Sequence, residues 1–351
     1  MSKIVEGIKK LVNDVQLPED HAKEIMHEIM SGNATESQIG GYLTALRIKG
    51  ETVDVVSAAA EVMREFSNRI HPKNVKNLVD TCGTGGDNAD TFNISTLAAL
   101  VAAGAGARIA KHGNRSVSSS CGSADILEGF GAKIDSEPQV VEDMIEEIGF
   151  GFMFAPRFHP AMKYAMPTRK SLAMRTIFNI LGPLTNPASA NRHIMGVFDK
   201  GLTEKMAEVM KNLGADHVFV VHSEPGIDEI VPISDVYISE LKNGKIHSYI
   251  LGPNDFGIDN VNLDELKGGE LEQNIEIAKN ILNANDNGIR KKIVVINAAY
   301  ALISSGIVQD LNEAIEKAEY SLTSGAAKQK LKQFVEKSGG SLHKFEQIFN
   351  Q

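Results

Sequence analysis

Apolar residues recur at three- and four-residue spacing through the first seventy positions. Ile4, Ile8, Leu11 and Val15 mark one helical face, and Val55, Ala59, Val62, Met63 and Phe66 mark another. Between them, Thr35 and Gln38 form a capping box ahead of Ile39, Leu43 and Leu46, and Gly50 stops that helix. No strand signal precedes Leu78, so residues 1–70 are expected to fold as a small helical domain. The polar run His71-Pro72-Lys73-Asn74 marks its boundary.

From Leu78 onward, short β-branched or apolar runs alternate with helical stretches. Strands are predicted at Leu78–Thr81, Arg108–Ala110, Gly151–Phe154, His193–Phe198 and Val218–His222, with weaker signals at Val236–Ile238 and Lys245–Ile250. Helices are predicted at Leu97–Ala103, Ala124–Phe130, Pro138–Ile148 and Glu204–Leu213, and later at Gln273–Asn285, Lys291–Ser304 and Leu311–Thr323. This alternation predicts an α/β fold over residues 76–351, a central mixed sheet flanked by helices. Ligands in such sheets bind at the carboxyl ends of the strands. Residues 159–187 interrupt the alternation with a helical, Met-rich and basic stretch that closes in Gly-Pro and Asn-Pro turns.

Two loops at predicted strand ends suit anions. Gly83-Thr84-Gly85-Gly86-Asp87 leads into a helix whose start is marked by Asn93, Ser95 and Thr96, which directs backbone N–H groups and the positive helix end at one concavity. Lys111-His112-Gly113-Asn114-Arg115 precedes a run of hydroxyls at Ser116, Ser118, Ser119, Ser120 and Ser123. A solvated basic turn is the plain reading of Lys111 and Arg115, and a phosphate grip the functional one. No GxxxxGK[ST] occurs, and Gly104-Ala105-Gly106 lacks a third glycine and ends a helical pattern, so Walker and Rossmann sites are unsupported. Asp228 and Glu229 follow a strand signal, and beside a phosphate site such a pair suits a hard divalent cation, with Glu224 an alternative donor.

Composition narrows the partners. The chain has 351 residues, 42% hydrophobic and 23% charged, with a net charge of −9, which argues against a general nucleic-acid or anionic-membrane surface. No run reaches the length of a membrane span, and no basic segment leads an apolar core at the N-terminus. Two cysteines, Cys82 and Cys121, are too few to staple such a chain, so reduced thiols and a cytoplasmic location are expected.

The glycine loop, Asn93-Ile94-Ser95-Thr96, the KHGNR pentapeptide, Gly122-Ser123-Ala124-Asp125 and the stretch Arg175–Pro187 together resemble the anthranilate phosphoribosyltransferases. The resemblance runs to about residue 325. It implies that residues 159–187 rejoin the helical domain, with the active cleft between the two domains, and that the protein is a homodimer through its helical domain. It implies contacts to 5-phosphoribosyl 1-diphosphate from Gly83, Gly86, Asp87, Thr91, Asn93, Ile94, Ser95, Thr96, Lys111, His112, Gly113, Asn114, Arg115, Ser116, Val117, Ser118, Ser119 and Ser123. Anthranilate would meet Gly83, Asn114, Arg175, His112 and His159, with the Arg175 fork on the carboxylate. Mg2+ would lie on Ser95, Asp228 and Glu229.

The chain departs from that pattern where Ala173 replaces a glycine, Ser171 an acid and Ser120 a lysine. Competing readings are a pyrimidine nucleoside phosphorylase-like enzyme, which KHGNR and the segment after Arg175 oppose, and a non-catalytic nucleic-acid-binding paralogue, which the acidic pair and net charge oppose. The implied reaction joins the anthranilate amine to ribose C1 and releases diphosphate, a step of tryptophan biosynthesis. An aromatic amine is neutral at pH 7, so no covalent nucleophile or strong base is expected.

Overall fold

The computed structural model describes residues 2–73, 75–86, 89–116, 120–258 and 262–350. Its N-terminal helices are α1 (Lys3–Val12), α2 (Glu19–Met30), α3 (Glu36–Lys49) and α4 (Val53–Glu65). Ile4 and Leu11 are buried on α1, but Val15 lies beyond its end and is 50% exposed, because Asp14 takes a positive φ that breaks the helical register. The capping box before α3 is formed on both sides: Thr35 Oγ1 accepts from Gln38 N at 3.3 Å, and Gln38 Oε1 accepts from Thr35 N at 2.8 Å. Gly50, with φ of 87°, ends that helix where a side chain would be strained.

The rest of the chain runs β1 (Val79–Asp80), α5 (Ile94–Gly104), β2 (Ile109–Gly113), α6 (Ser123–Gly129), α7 (Pro138–Ile148), β3 (Phe150–Phe154), α8 (Ala155–Phe158), α9 (Met166–Leu172) and α10 (Phe178–Leu181). It continues through β4 (Arg192–Gly196), α11 (Thr203–Asn212), β5 (His217–Ser223), β6 (Val236–Lys242), β7 (Lys245–Leu251), α12 (Leu271–Leu282), α13 (Ile289–Ser305), α14 (Leu311–Thr323), α15 (Ala326–Lys337) and α16 (Leu342–Phe349). The strands form one seven-stranded mixed sheet in the order β3-β2-β1-β4-β5-β6-β7. β1 to β5 are parallel, and β6 and β7 add antiparallel to the edge.

Two differences from the sequence reading bear on the site. β1 pairs over Val79 and Asp80 alone, whereas β2 continues through Lys111, His112 and Gly113, which had the look of a loop. β6 and β7 are full seven-residue strands joined at Asn243-Gly244, both at positive φ, the pairing that matches a hairpin to strand twist.

Alternation along each strand divides the core. Ile194, Phe219 and Val221 face a cluster with α5 and α13, while Met195, Val218 and Val220 face Met206, Val209 and Met210 of α11. Beyond its polar first turn α5 is apolar on all sides and buried from Leu97 to Ala103, the signature of a central helix. The α11 cluster continues without a break into α1 to α4. Ala161, Ala165, Ile177, Phe178, Leu181 and Leu184 belong to this second cluster, and Arg64 Nε donates to Leu184 O at 2.8 Å. Among the described residues, no helix is long and apolar enough to cross a membrane, and both cysteines are free.

Candidate active site

The sheet order creates the site. From β1 the chain steps outward to β2 and β3, then returns to β4 on the other side of β1, so neighbouring strands lead their connections apart. A crevice opens at the carboxyl ends of such a pair.

The glycine loop leaves β1 into this crevice. Thr84 N donates to Gly196 O at 2.9 Å, and Thr84 Oγ1 accepts from Phe198 N at 3.2 Å, which ties the loop to the end of β4. Gly85 and Gly86 have φ of 64° and 73°, two successive left-handed residues that a Cβ would strain. Gly85 N donates to Asp228 Oδ2 at 2.6 Å, and a Cβ on Gly83 would stand 2.9 Å from that same oxygen. Asp87 lies outside the described residues.

At the start of α5, Asn93 holds the N-cap position, but its side chain donates to Cys121 O at 3.0 Å instead of capping the helix. Ser95 N donates to Glu229 Oε1 at 3.0 Å, so a carboxylate sits at the positive helix end. Ile94 and Thr96 are buried. Thr91 bridges Lys267, and Phe92 N donates to Leu266 O, which ties the approach to α5 to a distant segment that the sequence did not connect with it.

Lys111 is neither a solvated turn nor an outward grip. It is buried, and its Nζ donates to Thr81 O at 3.1 Å, Thr81 Oγ1 at 3.0 Å and Ser95 Oγ at 3.4 Å, placing a positive charge beneath the glycine loop. His112 Nδ1 pairs with Gly182 O at 3.2 Å, and its ring lies 5.0 Å from that of His159. Burial pulls His112 down to about 4 and His159 to about 3, so both are neutral at pH 7. The Nε2 atom of each is buried without a hydrogen-bond partner among the described residues.

Beyond β2, Asn114 O accepts from Ala124 N and Ser123 Oγ at 3.1 and 3.2 Å. The Arg115 guanidinium, expected on phosphate, is held by Asp125 and Glu128 at 2.8 Å each, because α6 presents both carboxylates to it. Asp125 Oδ2 also accepts from Ser116 N and Gly122 N at 3.1 and 2.9 Å, pinning both ends of the serine loop. A Cβ on Gly122 would stand 2.3 Å from Ser116 N, and one on Gly113 would stand 2.3 Å from Ser123 Oγ. Val117, Ser118 and Ser119 lie outside the described residues.

The acidic pair is held from below. Asn297, buried on α13, accepts from Ile230 N and donates to Ile230 O, and Ser223 Oγ donates to Glu229 O. Gly196 lies so close that a Cβ there would stand 1.5 Å from Asp228 O. Glu224 pairs instead with Lys200 at 3.1 Å. Nothing local in the sequence marks Asn297 or Gly196 as part of this corner, because both reach it from elements distant in the chain.

Arg175 donates through Nη2 to Gly86 O and lies 4.0 Å above the Phe198 ring. No carboxylate pairs with it among the described residues. Two positions earlier, Ala173 closes α9 with φ of 46°, the left-handed conformation for which the resembling glycine is suited.

Ser95, Asp228 and Glu229 thus converge on the crevice with hydroxyl and carboxylate oxygens alone, the donor set of a hard cation. No group of three or more His, Cys, Asp or Glu residues forms a metal cage among the described residues. Hydroxyl and carboxylate oxygens of this kind suit a hard divalent cation such as Mg2+.

Residues 75–328 match the family model described as the glycosyl transferase family a/b domain, and residues 5–67 match that family's helical bundle domain. The fold and crevice define a glycosyl transferase of this two-part class. The anthranilate phosphoribosyltransferase of Persephonella marina is 45% identical over 337 residues, 96% of this chain and 99% of that protein. That of Alkaliphilus metalliredigens is 48% identical over 322 residues, 92% of this chain and 94% of the relative. The crystal structure of the Thermus thermophilus anthranilate phosphoribosyltransferase superposes with a TM-score of 0.90 at 39% identity, covering 97% of this chain and all of that one. The Saccharomyces cerevisiae enzyme in complex with PRPP and Mg gives 0.87 at 28% identity, covering 96% of this chain and 98% of that one. The chain belongs to the anthranilate phosphoribosyltransferase family.

Proposed function

We propose that this protein transfers the phosphoribosyl group of 5-phosphoribosyl 1-diphosphate to the amine of anthranilate, releasing diphosphate, in tryptophan biosynthesis. The observation that carries this reading is the convergence of the glycine loop, the α5 N-terminus and the Asp228–Glu229 pair at the β1/β4 crevice. Diphosphate lies along the Gly83–Gly86 turn and the α5 N-terminus, where the positive helix end and the buried Lys111 charge offset developing negative charge. Ser95, Asp228 and Glu229 hold Mg2+, which when bound neutralises diphosphate charge.

Arg175 binds the anthranilate carboxylate in two-point fashion, and neutral His112 and His159 flank the ring. Their unpartnered Nε2 atoms suit hydrogen bonds to the arylamine. The amine attacks C1 as the C1–O bond to diphosphate breaks, the proton of the resulting ammonium passes to the departing diphosphate or to water, and orientation replaces base catalysis. The helical domain extends over residues 1–70 together with 159–187, and the α/β domain over 76–351. Exposed Val12, Val15 and Ile48 support a homodimer through the helical domain. We further assign the protein to the cytoplasm, with small molecules as its ligands and neither nucleic acid nor membrane as partner.

Loss of anthranilate fluorescence on adding 5-phosphoribosyl 1-diphosphate and Mg2+ tests the reading. No loss with folded protein and both substrates present overturns it.

A further inference from the structure

Asp80 and Asn186 are buried, at 0% and 1% exposure, and no part of the reaction proposed above uses them. Asp80 ends β1. Its Oδ1 accepts from His112 N at 3.1 Å, so the carboxylate takes the backbone donor that a longer β1 would have paired. Its Oδ2 accepts from Asn186 Nδ2 at 2.6 Å. The same Nδ2 donates to Ala110 O at 2.8 Å, while Asn186 Oδ1 accepts from Ala188 N at 2.9 Å and Ala190 N at 3.4 Å. With its oxygen committed to two backbone donors, the amide must present its nitrogen to Asp80.

This bond joins the two halves of the crevice. On the Asp80 side, the next residue, Thr81, receives Lys111 and opens the glycine loop. On the Asn186 side lies the turn whose Gly182 O holds the His112 ring against His159. The two half-sites touch at Lys111 and His112, neighbours on β2, and Asp80–Asn186 is a further, direct side-chain bond between them.

We infer that Asp80 and Asn186 form a positioning pair that sets the distance between the diphosphate half-site and the aromatic-acceptor half-site. The inference rests on the phosphoribosyl-transfer reading. Each half-site keeps its own ligands when the pair is broken, so each substrate alone binds normally. The reaction needs both substrates in line, and a displacement on the order of 1 Å lowers such a rate roughly a hundredfold.

The test uses Asp80→Asn, which keeps shape and an acceptor for His112 N but opposes two amide donors, and the gentler Asn186→Ser. Calorimetry with each substrate alone, with Mg2+ present, and single-turnover rates are measured on folded protein below its Tm. The expected result in both variants is a dissociation constant within about threefold of wild type for each substrate and a single-turnover rate lowered roughly ten- to a hundredfold. An unchanged rate at lowered Tm assigns the pair to stability alone and overturns the inference. So does a loss of either affinity in proportion to the rate, or failure of both variants to fold. Failure of the wild type to consume anthranilate would instead sink the reading beneath it, whatever the variants do.

Discussion

Arg175 lies face-on over Phe198, 4.0 Å from the ring centroid, while the same guanidinium donates to Gly86 O. One side chain thereby spans the end of β4, the glycine loop and the segment that follows α9. The ring holds the guanidinium plane by cation–π contact, and a guanidinium so held offers a fork to a carboxylate. Arg175→Ala should raise the anthranilate KM roughly ten- to a hundredfold, the loss expected of about 1.5 to 3 kcal/mol. The glycine loop keeps its bonds to Gly196 and Asp228, so affinity for the diphosphate sugar should move far less. Arg175→Lys should rescue only part, since an ammonium is a point charge. Both KM values and Tm on one preparation decide the matter, and an unchanged anthranilate KM removes Arg175 from the site.

Asp228 and Glu229 each accept a backbone N–H, from Gly85 and Ser95. The amides of Asp228→Asn and Glu229→Gln retain an acceptor oxygen, so the double variant should keep its fold while losing the charge that attracts Mg2+. The Mg2+ concentration for half-maximal rate should rise by at least about tenfold, the equivalent of 1.4 kcal/mol. Unchanged magnesium dependence with an unchanged circular dichroism spectrum removes the pair from metal binding.

Gly196 tests the same corner through the backbone. Its Cβ would overlap Asp228 O at 1.5 Å, so Gly196→Ala must displace the acidic segment or the end of β4. Overpacking of this kind destabilises by about 1 to 3 kcal/mol. The expected outcome is a lower Tm together with a raised Mg2+ requirement. A variant with native Tm and native Mg2+ titration refutes the close approach.

Ala173 offers the opposite sign. A side chain in the left-handed region costs about 1 to 2 kcal/mol, and the looser unfolded chain of glycine returns about 0.4 to 1 of it. Ala173→Gly should therefore stabilise by about 1 kcal/mol, seen as a Tm rise of about 1 to 2 °C for a chain of this length. No rise would mean that α9 relaxes around the alanine without strain.

Three buried histidines set the acid limit. His112 and His193 fall to about 4 and His159 to about 3 through burial, below the usual 6.5. Between those values the unfolded chain binds protons that the folded chain refuses, so stability is full above pH 6.5 and declines as pH falls toward 4. Asp80, raised to about 6 by burial, works the other way and takes a proton more readily when folded. With three groups against one, Tm should fall steadily from pH 6.5 to 4.5, and His159→Gln should flatten that fall.

Element types were legible where a pattern repeats. Thr35 and Gln38 announced α3, and alternating apolar runs placed the parallel strands. Asn243-Gly244 was a hairpin signal present in the sequence and underweighted. What the sequence withheld depends on distant backbone. Lys111 looks like the start of a basic loop because nothing local shows that Thr81 and Ser95 enclose it. Arg115 looks like a phosphate ligand until α6 brings Asp125 and Glu128 beside it. Asn186 reads as part of an Asn-Pro turn and Asn297 as a polar residue within an apolar helix, since their partners, Asp80 and Ile230, lie far away in sequence.

The two-residue length of β1 has a mechanical consequence. β2 and β4 run on past it without pairing to each other; the Asp80 and Asn186 side chains occupy the edge of β2 where a ladder would otherwise stand, and Thr84 N meets the end of β4 at Gly196 O. The sheet is thus two rafts, β3-β2 and β4 to β7, sharing a narrow seam. Few backbone bonds cross that seam, so the spacing between the two halves of the crevice rests on the side chains that bridge it.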